Sequence, residues 1–227
     1  MRAWLLTLYA GVAVLTYAVP GRAQGDEDVE RALAAARARA GDGDIIAQFS
    51  LGALLYYGGN DLALAVDYLR KAAAQGYGDA EFQIGQLYEF GFGVVQDNRE
   101  AFAWYRKAAE HGSAAGQRAV GDFYRKGRGT TADLTEAARW YRLAADRDDV
   151  RAQHELGQLY FTGTGVARDY ESAYVWFALA ASQAPLPDNR KALLELRNIA
   201  AARMTPDQVA AAERRLASWK PRAASGR

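Results

Sequence analysis

The chain has 227 residues, 50% of them hydrophobic and 24% charged, an ordinary globular composition with enough apolar content for a core, so disorder is not the default expectation. It contains no cysteine, which removes disulfides, thiolate metal sites and cysteine nucleophiles together. A formal net charge of +1 is too even a balance to draw nucleic acid or anionic lipid.

At the N-terminus Arg2 precedes an uncharged apolar run, Ala3 to Val19, and then Pro20-Gly21-Arg22-Ala23. Residues 1–23 read as an export signal: the small residues Gly21 and Ala23 suit cleavage after Ala23, and Asp26, Glu27 and Asp28 begin a polar mature chain. An uncleaved anchor is the alternative, since the run approaches the ~17 residues with which a tilted helix spans a bilayer; only then does the membrane become a partner. Removal of residues 1–23 leaves 26 basic against 27 acidic residues, a net charge of −1. Abundant alanine, and arginine in excess over lysine, point to a GC-rich bacterial genome, and so to a periplasmic or secreted protein. Residues 26–43 contain an alanine-rich stretch, Glu30 to Ala40, closed by Gly41-Asp42-Gly43, which reads as an N-terminal capping helix.

Residues 44–184 are dominated by one period. The segments LGALLYYGG from Leu51, IGQLYEFGFG from Ile84, VGDFYRKGRG from Val120 and LGQLYFTGTG from Leu156 are one phrase four times, with Gly52, Gly85, Gly121 and Gly157 spaced 33, 36 and 36 apart. A second phrase closes each unit, and in it Tyr68, Trp104, Trp140 and Trp176 stand 36 apart, as do Asp61, Asp97, Asp133 and Asp169. The three residues missing from unit one therefore fall in its turn, around Gly58-Gly59-Asn60. In unit two, Ala80, Ile84, Leu87 and Tyr88 form one stripe of a helix A, ended by Gly91 and Gly93, with Val94 turning back to the core. Asp97 with Glu100, and Asp133 with Glu136, fit capping boxes at the start of a helix B whose stripe is Ala101, Trp104, Tyr105 and Ala108. Glycine inside helix A costs ~1 kcal/mol, so its repetition predicts a close approach, with the helix B tryptophan ring lying over Gly85.

The phrase A-x-x-x-L-G-x-x-Y-x-x-G-x-G-V, an Asp, then A-x-x-W-Y-x-K-A-A-x-x-G resembles the Sel-one-like repeat family, a relative of the tetratricopeptide repeats. The match runs from Ala47 to about Ala184; Tyr68 replaces the tryptophan in unit one, and Ala184 stands where a glycine is expected. The resemblance implies an all-α, right-handed α-solenoid of helix-turn-helix repeats acting as a protein-binding scaffold. Some secreted, cysteine-rich relatives are associated with penicillin binding or β-lactamase activity, which makes a hydrolase acting on β-lactam or peptidoglycan the alternative. This chain has no Ser-x-x-Lys and no cysteine, so the likeness does not reach that branch.

Beyond the array, Pro185 and Pro187 break the chain, and residues 185–220 form C-terminal capping helices. One is predicted from about Asp188 to Arg203. Another opens at Thr205, with proline at its first position, Gln208 completing a capping box, and an apolar stripe of Val209, Ala212, Leu216 and Trp219. Residues 221–227 read as a disordered tail.

No catalytic, cofactor or metal site is expected. His111 and His154 occupy different repeat positions, His154-Glu155 lacks the following histidine of a zinc protease, and Gly127-Arg128-Gly129 is the repeat turn, not a phosphate loop. The aspartates read as caps and the tryptophans as core. A partner, a protein or peptide bound by a monomer, is expected where the repeats differ along helix A. Three columns lie at i, i+4 and i+7: Phe49, Phe82, Arg118 and His154; then Ala53, Gln86, Asp122 and Gln158; then Tyr56, Glu89, Arg125 and Phe161. The stripe is aromatic in unit one and charged in unit three, suiting a partner with an apolar end and an acidic end.

Overall fold

The computed structural model describes residues 34–58 and 61–221, and it is all-helical there. The export signal, residues 26–33 of the capping segment, Gly59-Asn60 of the first turn and residues 222–227 of the tail lie outside the described residues. The chain divides into two compact units between Gln75 and Gly76.

The first unit contains α1 (residues 34–41), α2 (Ile45–Gly58) and α3 (Leu62–Ala74). Asp44 opens α2 by accepting the Ala47 N–H at 3.0 Å while paired with Arg39. Ala40 of α1 is buried with Ala47 and Leu51 of α2. Gln48 donates to the Ala40 carbonyl and accepts from Gln75. A β-carbon on Gly52 would stand 2.7 Å from Leu69 Cγ.

The second unit begins with three hairpins: α4 (Gly78–Phe90) with α5 (Asn98–Glu110), α6 (Ala114–Lys126) with α7 (Leu134–Ala145), and α8 (Val150–Thr162) with α9 (Tyr170–Gln183). Each helix A ends on a left-handed glycine, Gly91, Gly127 or Gly163, whose N–H returns to the carbonyl of Leu87, Phe123 or Leu159. Each helix B opens on its aspartate. Asp97 and Asp133 each accept two backbone N–H groups, and Asp169 accepts that of Ser172. The reciprocal half of the predicted boxes does not form at Asp97 or Asp133, because their own N–H groups are taken by the Tyr88 and Tyr124 carbonyls at 2.9 Å. That bond ties the turn back to helix A. Thr205 and Gln208 do close a full capping box.

The expected contact over the helix A glycines is corrected by one position. A β-carbon on Gly85 would stand 2.5 Å from the ring of Tyr105, one on Gly121 2.7 Å from Tyr141, and one on Gly157 2.7 Å from Phe177. The residue after each tryptophan therefore fills the gap. Tyr105, Tyr141 and Phe177 are fully buried, whereas Trp104 and Trp140 are only half-buried, and Trp176 alone of the repeat tryptophans is enclosed. Successive helical residues project about 100° apart, so the tryptophan turns away from its own helix A.

The hairpins are joined through their second turn glycines. Gly129 at φ +64° lies against the Asn98 carbonyl and Gly165 at φ +73° against that of Leu134, each with no room for a side chain. The last helices are α10 (Pro187–Ala201) and α11 (Pro206–Ala217), close to the predicted bounds. Both pack on α9, and Trp219 meets Trp176 edge-on at 5.1 Å, covering the last repeat tryptophan.

Candidate protein-interaction face

The predicted stripe does not survive as one exposed surface. Phe49 on α2 is 5% exposed and Phe82 on α4 is 7% exposed, so the first column is not an aromatic face open to a partner. Phe82 packs on the Tyr105 ring at 5.5 Å, within the core shared by α4, α5 and α6. Tyr56 is half-buried, and its hydroxyl is pushed up in pKa by burial. Phe49 and Tyr56 belong to the first unit; the other predicted residues belong to the second.

In the second unit the polar members of the stripe do gather. Glu89 accepts the Tyr105 hydroxyl at 2.5 Å and pairs with Arg128 at 2.8 Å. Arg128 also donates to Asn98 Oδ1 and lies over the Phe123 ring, so the Gly127-Arg128-Gly129 turn is an inter-repeat clasp. Asp122 accepts the Tyr141 hydroxyl at 2.7 Å, and Arg125 donates to that same hydroxyl oxygen at 3.1 Å while facing Glu155 at 3.6 Å. Arg118 bridges Asp122 on its own helix and Asp149, the N-cap of α8. Asp149 splits its oxygens between this guanidinium and the Ala152 N–H.

Burial pushes the Tyr105 and Tyr141 hydroxyls far above the ordinary tyrosine pKa, with the adjacent Glu89 and Asp122 carboxylates adding to it. Both therefore remain neutral donors at physiological pH. In unit four, Phe177 replaces the tyrosine and no hydroxyl reaches helix A. There Phe161 packs edge-on against Tyr170 at 5.4 Å, and His154 pairs instead with the exposed Gln158 at 2.8 Å. Gln86 is half-buried on α4. Among the described residues no cluster of three metal-ligating side chains occurs.

The sequence pattern gave Tyr105, Tyr141, Arg128, Asp149 and Glu155 no place on this face. The tyrosines had a readable signal: the Tyr, Tyr, Phe series after each tryptophan runs parallel to the acid on helix A. A second series was also legible, Gln48, Glu81, Gln117 and Gln153. Gln117 and Gln153 donate to the carbonyls of Ala109 and Ala145, while buried Glu81 meets His111 Nδ1 at 2.7 Å.

The polar network is borne on repeat hairpins that have counterparts in known proteins. The Sel1 repeat profile matches residues 45–77, 78–113, 114–149 and 150–185. The chain is similar to a Sel1 repeat protein from Oxalobacter formigenes, at 31% identity over 75% of this chain and 79% of that one, with a TM-score of 0.65. It is also similar to a protective antigen of uropathogenic Escherichia coli strains that displays an SLR fold, at 29% identity and TM-score 0.54, covering 82% of this chain but 48% of the antigen. A Sel1 repeat protein from Klebsiella pneumoniae, at 22% identity and TM-score 0.53 over 80% of this chain and 98% of that one, shares the fold. No curated protein matches. Sel1 repeats generally serve as scaffolds for protein–protein interaction. Four profile matches in tandem, on helix pairs closed by an apolar side chain over a glycine, place this chain in the Sel1 repeat family.

Proposed function

We propose that the chain is an exported scaffold that binds a protein or peptide partner in the bacterial envelope, as an adaptor, assembly factor or regulator, and performs no catalysis. The supporting observation is a division of labour along α4, α6 and α8. The recurring residues are spent on packing and capping, while Glu89, Arg118, Asp122, Arg125 and Glu155, which differ from repeat to repeat, stay half-buried with charged atoms within reach of a ligand. Pre-paired charges of this kind favour selectivity and encounter rate over raw affinity, because a partner must match both signs. The apolar run at the N-terminus supports export, with cleavage after Ala23.

Crosslinking in intact cells followed by mass spectrometry tests the binding reading. A discrete partner captured by the wild-type chain and lost with Arg118→Gln/Arg125→Gln is expected; capture unchanged in that variant would refute the assigned face. Fractionation with N-terminal sequencing tests export, with a mature chain beginning at Gln24 in the soluble envelope fraction as the expected result.

A further inference from the structure

Each repeat hairpin closes on itself, a helix B side chain, Leu69, Tyr105, Tyr141 or Phe177, filling the gap at the helix A glycine. The final two helices do not pair in this way. Both α10 and α11 pack on α9 and barely touch one another, which leaves an open cavity of 270 Å³ between them. Ala178 and Ala181 of α9 make its floor and the exposed Ser182 part of its rim; Leu194 and Leu216 wall it from α10 and α11.

Two cations of α10 stand at its rim, Arg190 and Arg197. Among the described residues neither meets a carboxylate. Arg190 donates to the Ala184 carbonyl at 3.2 Å; Arg197 donates to the neutral Asn198 side chain and lies 5.7 Å from the centre of the Tyr174 ring. Arg118, Arg125 and Arg128 in the array, by contrast, each face an acid. The segment as a whole is basic: residues 185–227 hold nine Lys and Arg against four Asp and Glu, whereas residues 24–184 hold 17 against 23. Residues seven apart on a helix share a face and are separated by roughly 10 Å along its axis.

We propose that this cavity docks an acidic amphipathic helix of a partner protein. One aliphatic side chain enters between α10 and α11, and two carboxylates about two turns apart on the partner meet Arg190 and Arg197. The volume suits one large aliphatic side chain and falls below the roughly 300 Å³ at which small-molecule pockets begin. The two guanidinium groups supply the charge complementarity, and the long-range field of the basic segment steers an acidic partner to it. This docking mode lies at the end of the array, not on the face formed by α4, α6 and α8, so either can fail without the other.

The test uses the full mature chain, isotope-labelled for NMR. The probe is an 18-residue alanine-rich helical peptide with two glutamates seven residues apart and leucine midway between them. Amide shifts clustered at Ser182, Leu194, Arg197 and Leu216 are expected, with affinity falling at least tenfold when the glutamates become glutamine. Arg190→Gln/Arg197→Gln should weaken binding by a similar factor. Ser182→Phe, which fills the cavity from an exposed rim position and leaves both charges in place, should do the same, with circular dichroism confirming the fold of each variant. Shifts centred elsewhere, equal binding of the glutamine peptide, or unchanged affinity in either variant would overturn the proposal. So would displacement of the peptide by dodecanoate binding more tightly, which would make the cavity a site for an anionic lipid.

Discussion

Replacing Gly129 with alanine should disrupt the array at the joint between its second and third hairpins. Two effects add. At φ +64° an alanine is strained by about 1–2 kcal/mol, a cost any left-handed position carries. In addition its β-carbon would stand 2.6 Å from the Asn98 carbonyl carbon, a backbone atom that cannot rotate aside, so the turn must withdraw from α5. Withdrawal separates Arg128 from Glu89 and Asn98, where the ion pair is 33% and 14% exposed on its two sides; its loss costs about 1–2 kcal/mol after allowance for solvent screening. Gly127 is the internal control, since it shares the conformation at φ +65° but its nearest neighbour is the Ala132 side chain at 3.2 Å. Urea denaturation should place Gly127→Ala about 1–2 kcal/mol below wild type and Gly129→Ala about 2–4 kcal/mol below it. Equal losses at the two glycines, within about 0.5 kcal/mol, would refute the reading of Gly129 as an inter-repeat contact.

Tyr105 and Tyr141 stay protonated in the folded chain while their unfolded counterparts ionise near pH 10, so stability should fall as pH rises past about 10, by about 1.4 kcal/mol per pH unit for each tyrosine. Phenylalanine at each position should flatten that slope in alkaline melts while costing about 1 kcal/mol at neutral pH through the lost hydroxyl bond. Asp148 occupies a left-handed position at φ +63° and accepts from Gln183; Asp148→Ala should cost about 1–2 kcal/mol in thermal melts, and Asp148→Gly clearly less. Burial pushes the Asp169 carboxyl up, yet its hydrogen bonds from Ser172 outweigh this and hold it below the usual carboxylate range. Its contribution is therefore full above about pH 4 and lost as pH falls through the lowered value, so Asp169→Asn, which still caps, should reduce the stability loss in acid with little effect at pH 7.

Much of the scaffold was legible because its determinants are local. A left-handed glycine at Gly91 and an aspartate at Asp97 each act within one turn of chain, and their spacing alone located helix ends to within a residue or two. The identity of the ring over Gly85 was not, since Trp104 and Tyr105 both border the apolar stripe and only the crossing of the two helices selects between them. For the same reason the first column of the candidate face was misjudged. Phe82 and Arg118 share a register, yet one lies in the core between three helices and the other bridges to the next hairpin's cap. Helical periodicity names a face but not how far a neighbouring hairpin covers it. The closing cavity was equally hidden, because Val209, Leu216 and Trp219 announce a packed helix without revealing that α10 and α11 diverge over α9.

The central claim, that recognition resides in the non-repeating residues of the helix A face, is tested most directly by site-specific photocrosslinking in intact cells. A photoreactive residue at Gln158, exposed on α8, is compared with one at Arg139, exposed on α7. A single discrete adduct from position 158, absent at 139, is the predicted result. Equal adducts from both positions, or an adduct from 139 alone, would contradict the account.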